Sequence, residues 1–207
     1  MCDVMDLNTG VHYWGLRNGD IYVTENGDIR LYYAADSEPV LDIAVGTDYI
    51  FVLKGYPNAI NRSILSLHKS TGYLYHFTSA NWPIVGLIPR NDEEVYVIGN
   101  MNNVGHIERL IHSTSSLVPV WQSFQTSAVR HVWTVDQDHF YVAQADGLIW
   151  YAMDLMNNHV GMSGEVLSLD WEDIERKLYI RTPAGLLLAD EYGNYLSTLS
   201  TEIGRAH

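Results

Sequence analysis

The stretch VRHVWTVDQDHFYVAQADGLIWY, residues 129–151, sets the reading of the whole chain. An apolar run opens at Val129, is broken by Asp136-Gln137-Asp138, and resumes as Phe140-Tyr141-Val142. A second break at Ala145-Asp146-Gly147 precedes Leu148-Ile149-Trp150-Tyr151. β-Branched and aromatic side chains suit a pleated, half-buried surface. The breaks consist of residues that favour turns. Three short strands joined by two tight turns are therefore expected here.

Working outward, the same grammar recurs. An aliphatic–aromatic–aliphatic triplet appears as Ile21-Tyr22-Val23, Ile50-Phe51-Val52, Val95-Tyr96-Val97, Phe140-Tyr141-Val142 and Leu178-Tyr179-Ile180. The central aromatics lie 29, 45, 45 and 38 residues apart. Apolar runs opening at Val11, Val40, Ile84, Val129 and Val166 precede the aromatics by 11, 11, 12, 12 and 13 residues. Turn formers such as Arg17-Asn18-Gly19-Asp20 and Gly46-Thr47-Asp48 fill the gaps. A third strand follows across Asn26-Gly27, Asp146-Gly147 or Ala184-Gly185, and the second and third repeats lengthen this connection through Gly55–Ser63 and Gly99–Gly105. Fourth strands are expected at Tyr73–Phe77, Leu117–Trp121 and Tyr195–Leu199. Prolines respect the scheme: Pro39 and Pro83 stand before first strands, and Pro119 falls in an edge strand, where proline is tolerated.

Repeats of about 40 residues, each a short meander, are the signature of a β-propeller. The expected fold is all-β, a five-bladed β-propeller of short four-stranded antiparallel blades. The blades are placed at residues 11–39, 40–83, 84–128, 129–165 and 166–203 of one domain spanning 1–207. The five central aromatics are expected to form the layer between neighbouring blades. No room exists for a fourth strand between Tyr33 and Val40, and Cys2–Leu7 reads as a spare strand with Asn8-Thr9-Gly10 as its turn. Residues 1–10 are therefore expected to close the ring on the last blade, unless a partner chain donates a strand instead.

The segment Leu178-Tyr179-Ile180-Arg181-Thr182-Pro183-Ala184-Gly185-Leu186 resembles the strand-turn-strand core of propeller repeats in sensor ectodomains and small five-bladed lectins. Asn18-Gly19-Asp20-Ile21-Tyr22-Val23 is similar. The resemblance spans nearly the whole chain and implies the propeller superfamily, but it repeats packing residues only. The Gly-His and Trp-Asp signatures of WD repeats are missing.

Composition narrows the function. The 207 residues carry 12 Lys and Arg against 25 Asp and Glu, a net charge of −13. Such a chain lacks the basic face that nucleic acid requires. With 47% apolar residues it is not disordered, and no apolar run approaches the roughly 18 residues of a membrane span. The start is acidic, so an intracellular (cytoplasmic or nuclear) protein is expected; the alternative is a lipid-anchored or secreted one if Cys2 marks a processed end. The single cysteine excludes a disulfide framework.

No phosphate-binding glycine loop, Gly-x-Ser-x-Gly elbow or His-Glu-x-x-His motif is present. The histidines lie at no metal-ligand spacing, and neither a metal nor a cofactor is expected. Channel candidates are the third positions of first strands, Tyr13, Asp42, His131 and Ser168, polar among apolar neighbours. Their plainer reading is that they face channel water. Asp42 and His131 could exchange a proton near neutral pH. Rim candidates are Trp14, Trp133 and Trp171, whose flat rings suit sugar faces but equally suit a core. Carboxylates Asp42, Asp136, Asp138, Asp170 and Asp173 cluster near the same strand ends, and glycoside hydrolysis needs such a pair. The short turns argue against an enzyme. The expected function is a non-catalytic protein–protein interaction platform or scaffold subunit whose partners have a basic surface. The alternative is a carbohydrate-binding, lectin-like propeller, with a small hydrolase third.

Overall fold

The computed structural model describes residues 2–6, 8–34, 37–56, 59–91, 94–111, 116–124, 127–134, 139–152, 155–172 and 174–200. The fold is all-β. Among the described residues the strands form five antiparallel sheets of four strands each. The first holds β1 (Cys2–Met5), β2 (His12–Gly15), β3 (Ile21–Glu25) and β4 (Asp28–Tyr33). The second holds β5 (Val40–Val45), β6 (Tyr49–Lys54), β7 (Arg62–His68) and β8 (Leu74–Ala80). The third comprises β9 (Ile84–Pro89), β10 (Glu94–Met101), β11 (Val104–Ile111) and β12 (Ser116–Phe124). The fourth comprises β13 (Val129–Thr134), β14 (His139–Gln144), β15 (Gly147–Ala152) and β16 (Leu155–Ser163). The fifth comprises β17 (Ser168–Glu172), β18 (Lys177–Thr182), β19 (Gly185–Asp190) and β20 (Tyr195–Ser200). In every sheet the strands lie in sequence order.

Three details differ from the sequence expectation. Strand β1 joins its own repeat, pairing with β2 through Cys2↔Gly15, Asp3↔Trp14, Val4↔Tyr13 and Met5↔His12, and is not part of the last sheet. The turn that folds it back is built on Asp6, whose carbonyl accepts the Gly10 N–H at 2.7 Å. The first sheet thus gains its fourth strand at the front, which is why none is needed before Val40. In the third repeat β10 runs on to Met101, so the connection shrinks to Asn102-Asn103, at φ 53° and 64°. Asparagine tolerates that left-handed region, as a two-residue hairpin turn requires. The fourth repeat also has a last strand, β16, whose sequence LMNNHVGMS shows no clean alternation.

Two compact units divide the chain, Met1–Met101 with Ile107–Trp121 and Asn102–His106 with Gln122–His207. In the first unit one apolar layer lies between the first and second sheets, with Tyr13, Ile21, Val23, Val40, Ile50 and Val52 at its centre. Another lies between the second and third sheets, around Phe51, Leu53, Leu87, Val95 and Val97. The second sheet therefore buries both faces, and Ile50, Phe51 and Val52 are each 0% exposed. In the second unit Tyr141, Leu169, Leu178, Ile180 and Ala189 form the layer between the fourth and fifth sheets.

Of the central aromatics, Phe51, Tyr96 and Tyr141 are buried, while Tyr22 and Tyr179 are half-buried. The flanking residues Ile21, Val23, Leu178 and Ile180 are buried instead. In these two sheets the strand's period of two puts the aromatic on the opposite face from the core. The expectation that all five aromatics share one kind of layer is corrected on this point.

Candidate functional site

The first strand of each middle sheet carries the same irregularity. The register slips between Val40 and Asp42 opposite Lys54 and Leu53, and between Val129 and His131 opposite Gln144 and Ala143. In the third sheet the slip falls between Ile98 and Gly99, opposite Gly86 and Ile84. A bulge re-aims the residue that follows it. In the second and fourth sheets, the third positions singled out in the sequence are thus the residues just past a bulge.

Asp42 uses that placement to join two sheets. One carboxylate oxygen accepts the Ile43 N–H at 2.9 Å and the other accepts the Leu87 N–H of β9 at 2.8 Å. Burial pushes its carboxyl up to about 6, with the two backbone donors opposing the shift. Nearby, the Cys2 thiol is pushed up to about 12 by burial and by the Asp42 charge, so it is a thiol and not a nucleophile at neutral pH.

Tyr13 is not a channel residue. It is 2% exposed, inside the layer between the first two sheets, and meets the Tyr32 ring edge-on at 5.4 Å. The reason is register: β2 turns His12 and Trp14 to one face and Tyr13 to the other. Tyr32 in turn donates its hydroxyl to the His68 carbonyl at 2.7 Å. His131 is half-buried in β13 with its ring 6.0 Å from Trp133, and burial lowers its pKa, favouring the neutral ring. Ser168 is half-buried opposite Arg181. Asp42 belongs to the first unit, His131 and Ser168 to the second.

The three rim tryptophans divide. Trp133 and Trp171 pack against the buried layer of the second unit, Trp171 lying 6.4 Å from the Tyr141 ring. Trp14 lies instead on the open face of the first sheet, where its ring nitrogen donates to Thr24 Oγ1 at 2.9 Å. Its ring also lies 4.2 Å from that of His12, and His12 Nε2 meets Asp3 Oδ2 at 3.0 Å. Asp170 is exposed in β17, and Asp136, Asp138 and Asp173 lie outside the described residues. Among the described residues no three His, Cys, Asp or Glu side chains are grouped to hold a metal ion. Among the same residues no helix is long and apolar enough to cross a membrane.

Sequence reasoning missed two features. One is a buried ionic node: the 2%-exposed Asp6 carboxylate is paired with Lys69, accepts the Thr9 hydroxyl at 2.8 Å and the Asn8 N–H at 3.0 Å. Lys69 also donates to the Gly46 carbonyl at 3.0 Å, fastening the first sheet to two turns of the second. Burial raises the Asp6 carboxyl, and the donors outweigh that, holding it below its ordinary value. The partners are 63 positions apart, beyond any local signal. The other is a set of apolar side chains left in water on outer strands: Ile29, Leu31, Leu74, Tyr75, Leu196 and Leu199. A signal existed in Ile29-Arg30-Leu31-Tyr32-Tyr33, where apolar residues occupy both parities of one strand.

No protein-family model and no curated protein matches the chain. Solved structures do. The β-propeller domain of Cps50 (Swd1) from Myceliophteria thermophila aligns with a TM-score of 0.63 at 10% identity, covering 90% of this chain and 64% of that one. The extracellular domain of a protein described as a putative one component system from B. thetaiotaomicron aligns with a TM-score of 0.64 at 12% identity, over 97% of this chain and 28% of that one. The chain therefore spans less than two thirds of the length of either structure. At these identities the likeness concerns the fold alone: the chain has the architecture of β-propeller domains.

Proposed function

We propose that the chain is a non-catalytic protein–protein interaction platform, built as five successive four-stranded blades. The observation that carries this reading is the apolar surface left open on outer strands and on one sheet face. Ile29 is 71% exposed, Tyr75 57%, Leu196 50% and Leu199 49%. Large apolar side chains exposed side by side mark surfaces that bind, and Ile29 and Leu31 share one face of β4. The net charge of −13 favours partners with a basic surface and speeds their encounter. Outer edges such as β20, which pairs with β19 alone among the described residues, also suit an added strand from a partner. The setting we assign is intracellular. The test is affinity isolation of the tagged chain from its native source. A reproducible set of copurifying proteins is expected, depleted by Leu196→Asp or Leu31→Asp; a chain recovered free of other proteins would overturn the reading.

One observation favours a second reading, a carbohydrate-binding surface. The Tyr49 ring lies 5.4 Å from Tyr75 and 5.2 Å from His68, and Tyr75 is 57% exposed. Specific signal on a glycan array, removed by Tyr75→Ala, would favour it over the platform.

A further inference from the structure

The tripeptide Asn-Gly-Asp occurs twice in the chain, at residues 18–20 and 26–28. Both copies are turns of the first sheet, one joining β2 to β3 and the other β3 to β4. Asparagine is among the thermally labile residues. Its side-chain amide carbon can be attacked by the backbone nitrogen of the next residue. Glycine at that next position leaves the nitrogen unshielded, since it has no Cβ. As local sequence the two copies are chemically equivalent. The structure makes them different.

At Asn18-Gly19 both reacting groups are held. Asn18 Nδ2 donates to Asp20 Oδ2 at 2.7 Å, and Asn18 Oδ1 accepts the Asp20 N–H at 3.2 Å. The Gly19 N–H donates to the Leu16 carbonyl at 3.1 Å, and Gly19 is buried. Leu16 is itself fixed: its N–H donates to the Asp20 carbonyl and its carbonyl accepts the Val40 N–H of β5, each at 3.0 Å. The Gly19 nitrogen reaches the Asn18 amide carbon only if this turn breaks.

At Asn26-Gly27 the same groups are open. Among the described residues no hydrogen bond holds the Asn26 amide or the Gly27 N–H. A Cβ built on Gly27 would meet nothing within 4 Å. Residues 25–31 are all exposed. The turn has two residues, Asn26 at φ 52° and Gly27 at φ 85°, and is closed by the Glu25↔Asp28 pair. A hairpin end that buries no side chain opens locally at little cost, and opening frees the Asn26 side chain to turn onto the Gly27 nitrogen.

We infer that Asn26 is a self-modification site, where the amide is converted to an acid through the neighbouring backbone while Asn18 is spared. The Gly27 nitrogen gives up its proton and bonds to Asn26 Cγ. The Cγ–Nδ2 bond breaks, and the amide nitrogen leaves as ammonia, carrying that proton. Water then opens the cyclic imide at either carbonyl, leaving aspartate or, with the main chain rerouted through the side chain, isoaspartate. Water is the co-reactant, and nothing is oxidised or reduced. Either product adds negative charge between Glu25 and Asp28. Isoaspartate also lengthens a turn whose loop length sets the β3–β4 register. The inference goes beyond the platform reading and does not depend on it.

The test is prolonged incubation of the full 207-residue chain at mildly alkaline pH, followed by brief tryptic digestion. Cleavage after Arg17 and Arg30 places both asparagines in one peptide, residues 18–30, so its fragment masses report the two conversions side by side. Asn26 should convert about tenfold or more faster than Asn18, because the hydrogen bonds on Asn18 and Gly19 must break first. In the chain unfolded by urea those bonds are gone, and the two rates should converge. Equal rates in the folded chain, or faster conversion at Asn18, would overturn the inference. So would an Asn26 that stays intact while the unfolded chain converts. A preference for Asn26 that survives unfolding unchanged would also overturn it, since the selection would then lie in the flanking residues and not in the turn.

Discussion

Replacing Asp42 by asparagine tests the bulged inner strands most directly. The fold raises this carboxyl from its ordinary 3.8 to about 6, chiefly by burial. At 1.36 kcal/mol per pH unit, that is a preference of about 3 kcal/mol for the uncharged form. Part of the residue's surface remains open to water, so a measured difference of about 1–3 kcal/mol is expected after screening. Below about pH 4 the carboxyl is protonated in both folded and unfolded chains and contributes no pH dependence. Between about 4 and 6 the unfolded chain releases its proton first, so the parent loses stability as pH rises; above about 6 the loss is complete. The amide introduced by Asp42→Asn removes the desolvated charge but keeps one acceptor oxygen, so one of the two backbone N–H groups faces the amide NH2 and loses its acceptor, at a cost of about 1–3 kcal/mol. The assay is urea unfolding of both proteins at about pH 4, about pH 6 and about pH 7.5, keeping clear of the isoelectric point near 4.9, where precipitation interferes. The variant should be less stable than the parent at the acid end, and the gap should shrink by about 1–3 kcal/mol toward the alkaline end. A gap that widens as pH rises to about 7.5, or one that ignores pH, would refute the argument.

Three other substitutions probe different layers. Tyr141→Ala removes a ring that is 0% exposed and whose hydroxyl donates to the Glu191 carbonyl; chemical denaturation should show a loss of about 3–5 kcal/mol, and a loss below about 1 would remove Tyr141 from the core. Asp6→Asn breaks the charge pairing with Lys69 and should cost about 3 kcal/mol at neutral pH. Because the native carboxyl is held below its ordinary 3.8, its contribution is present above that value and fades as pH falls through the folded pKa. The gap between parent and variant should therefore close in acid, and a gap that widens there would contradict the pairing. Gly99→Ala places a Cβ 2.1 Å from the Pro83 carbonyl oxygen and 2.7 Å from the Ile84 Cα, both backbone atoms with little room to yield. A destabilisation of about 3 kcal/mol is expected in thermal melts, and an unchanged melting temperature would show that the close approach relaxes freely.

The repeat was legible because each meander is local: Ile50-Phe51-Val52 and the apolar run from Val40 sit one tight turn apart, and turn chemistry names the break. Register was not. Whether Tyr13 faces a core or a channel depends on which way β2 is turned, and that was fixed by β1, a strand expected elsewhere. Asp42 stands out in the sequence as polar among apolar residues, yet its partners are backbone N–H groups, one of them on Leu87. Backbone donors have no sequence signature. Trp133 and Trp171 look the same as Trp14 in composition, but the first two pack on a buried layer and the third does not. That choice depends on the parity of each strand position relative to a neighbouring sheet.

Every sheet is assembled from consecutive strands, with none borrowed from a distant part of the chain among the described residues. Such a chain can begin to fold wherever a single hairpin forms, since closing a short loop costs little entropy. It also means that a duplicated stretch of about 40 residues arrives with its own strand pairing intact and needs only a neighbouring sheet to lie against. Lengthening by copying is thus cheap for this architecture, and the uneven spacing of its aromatic triplets is what gradual divergence of such copies would leave behind.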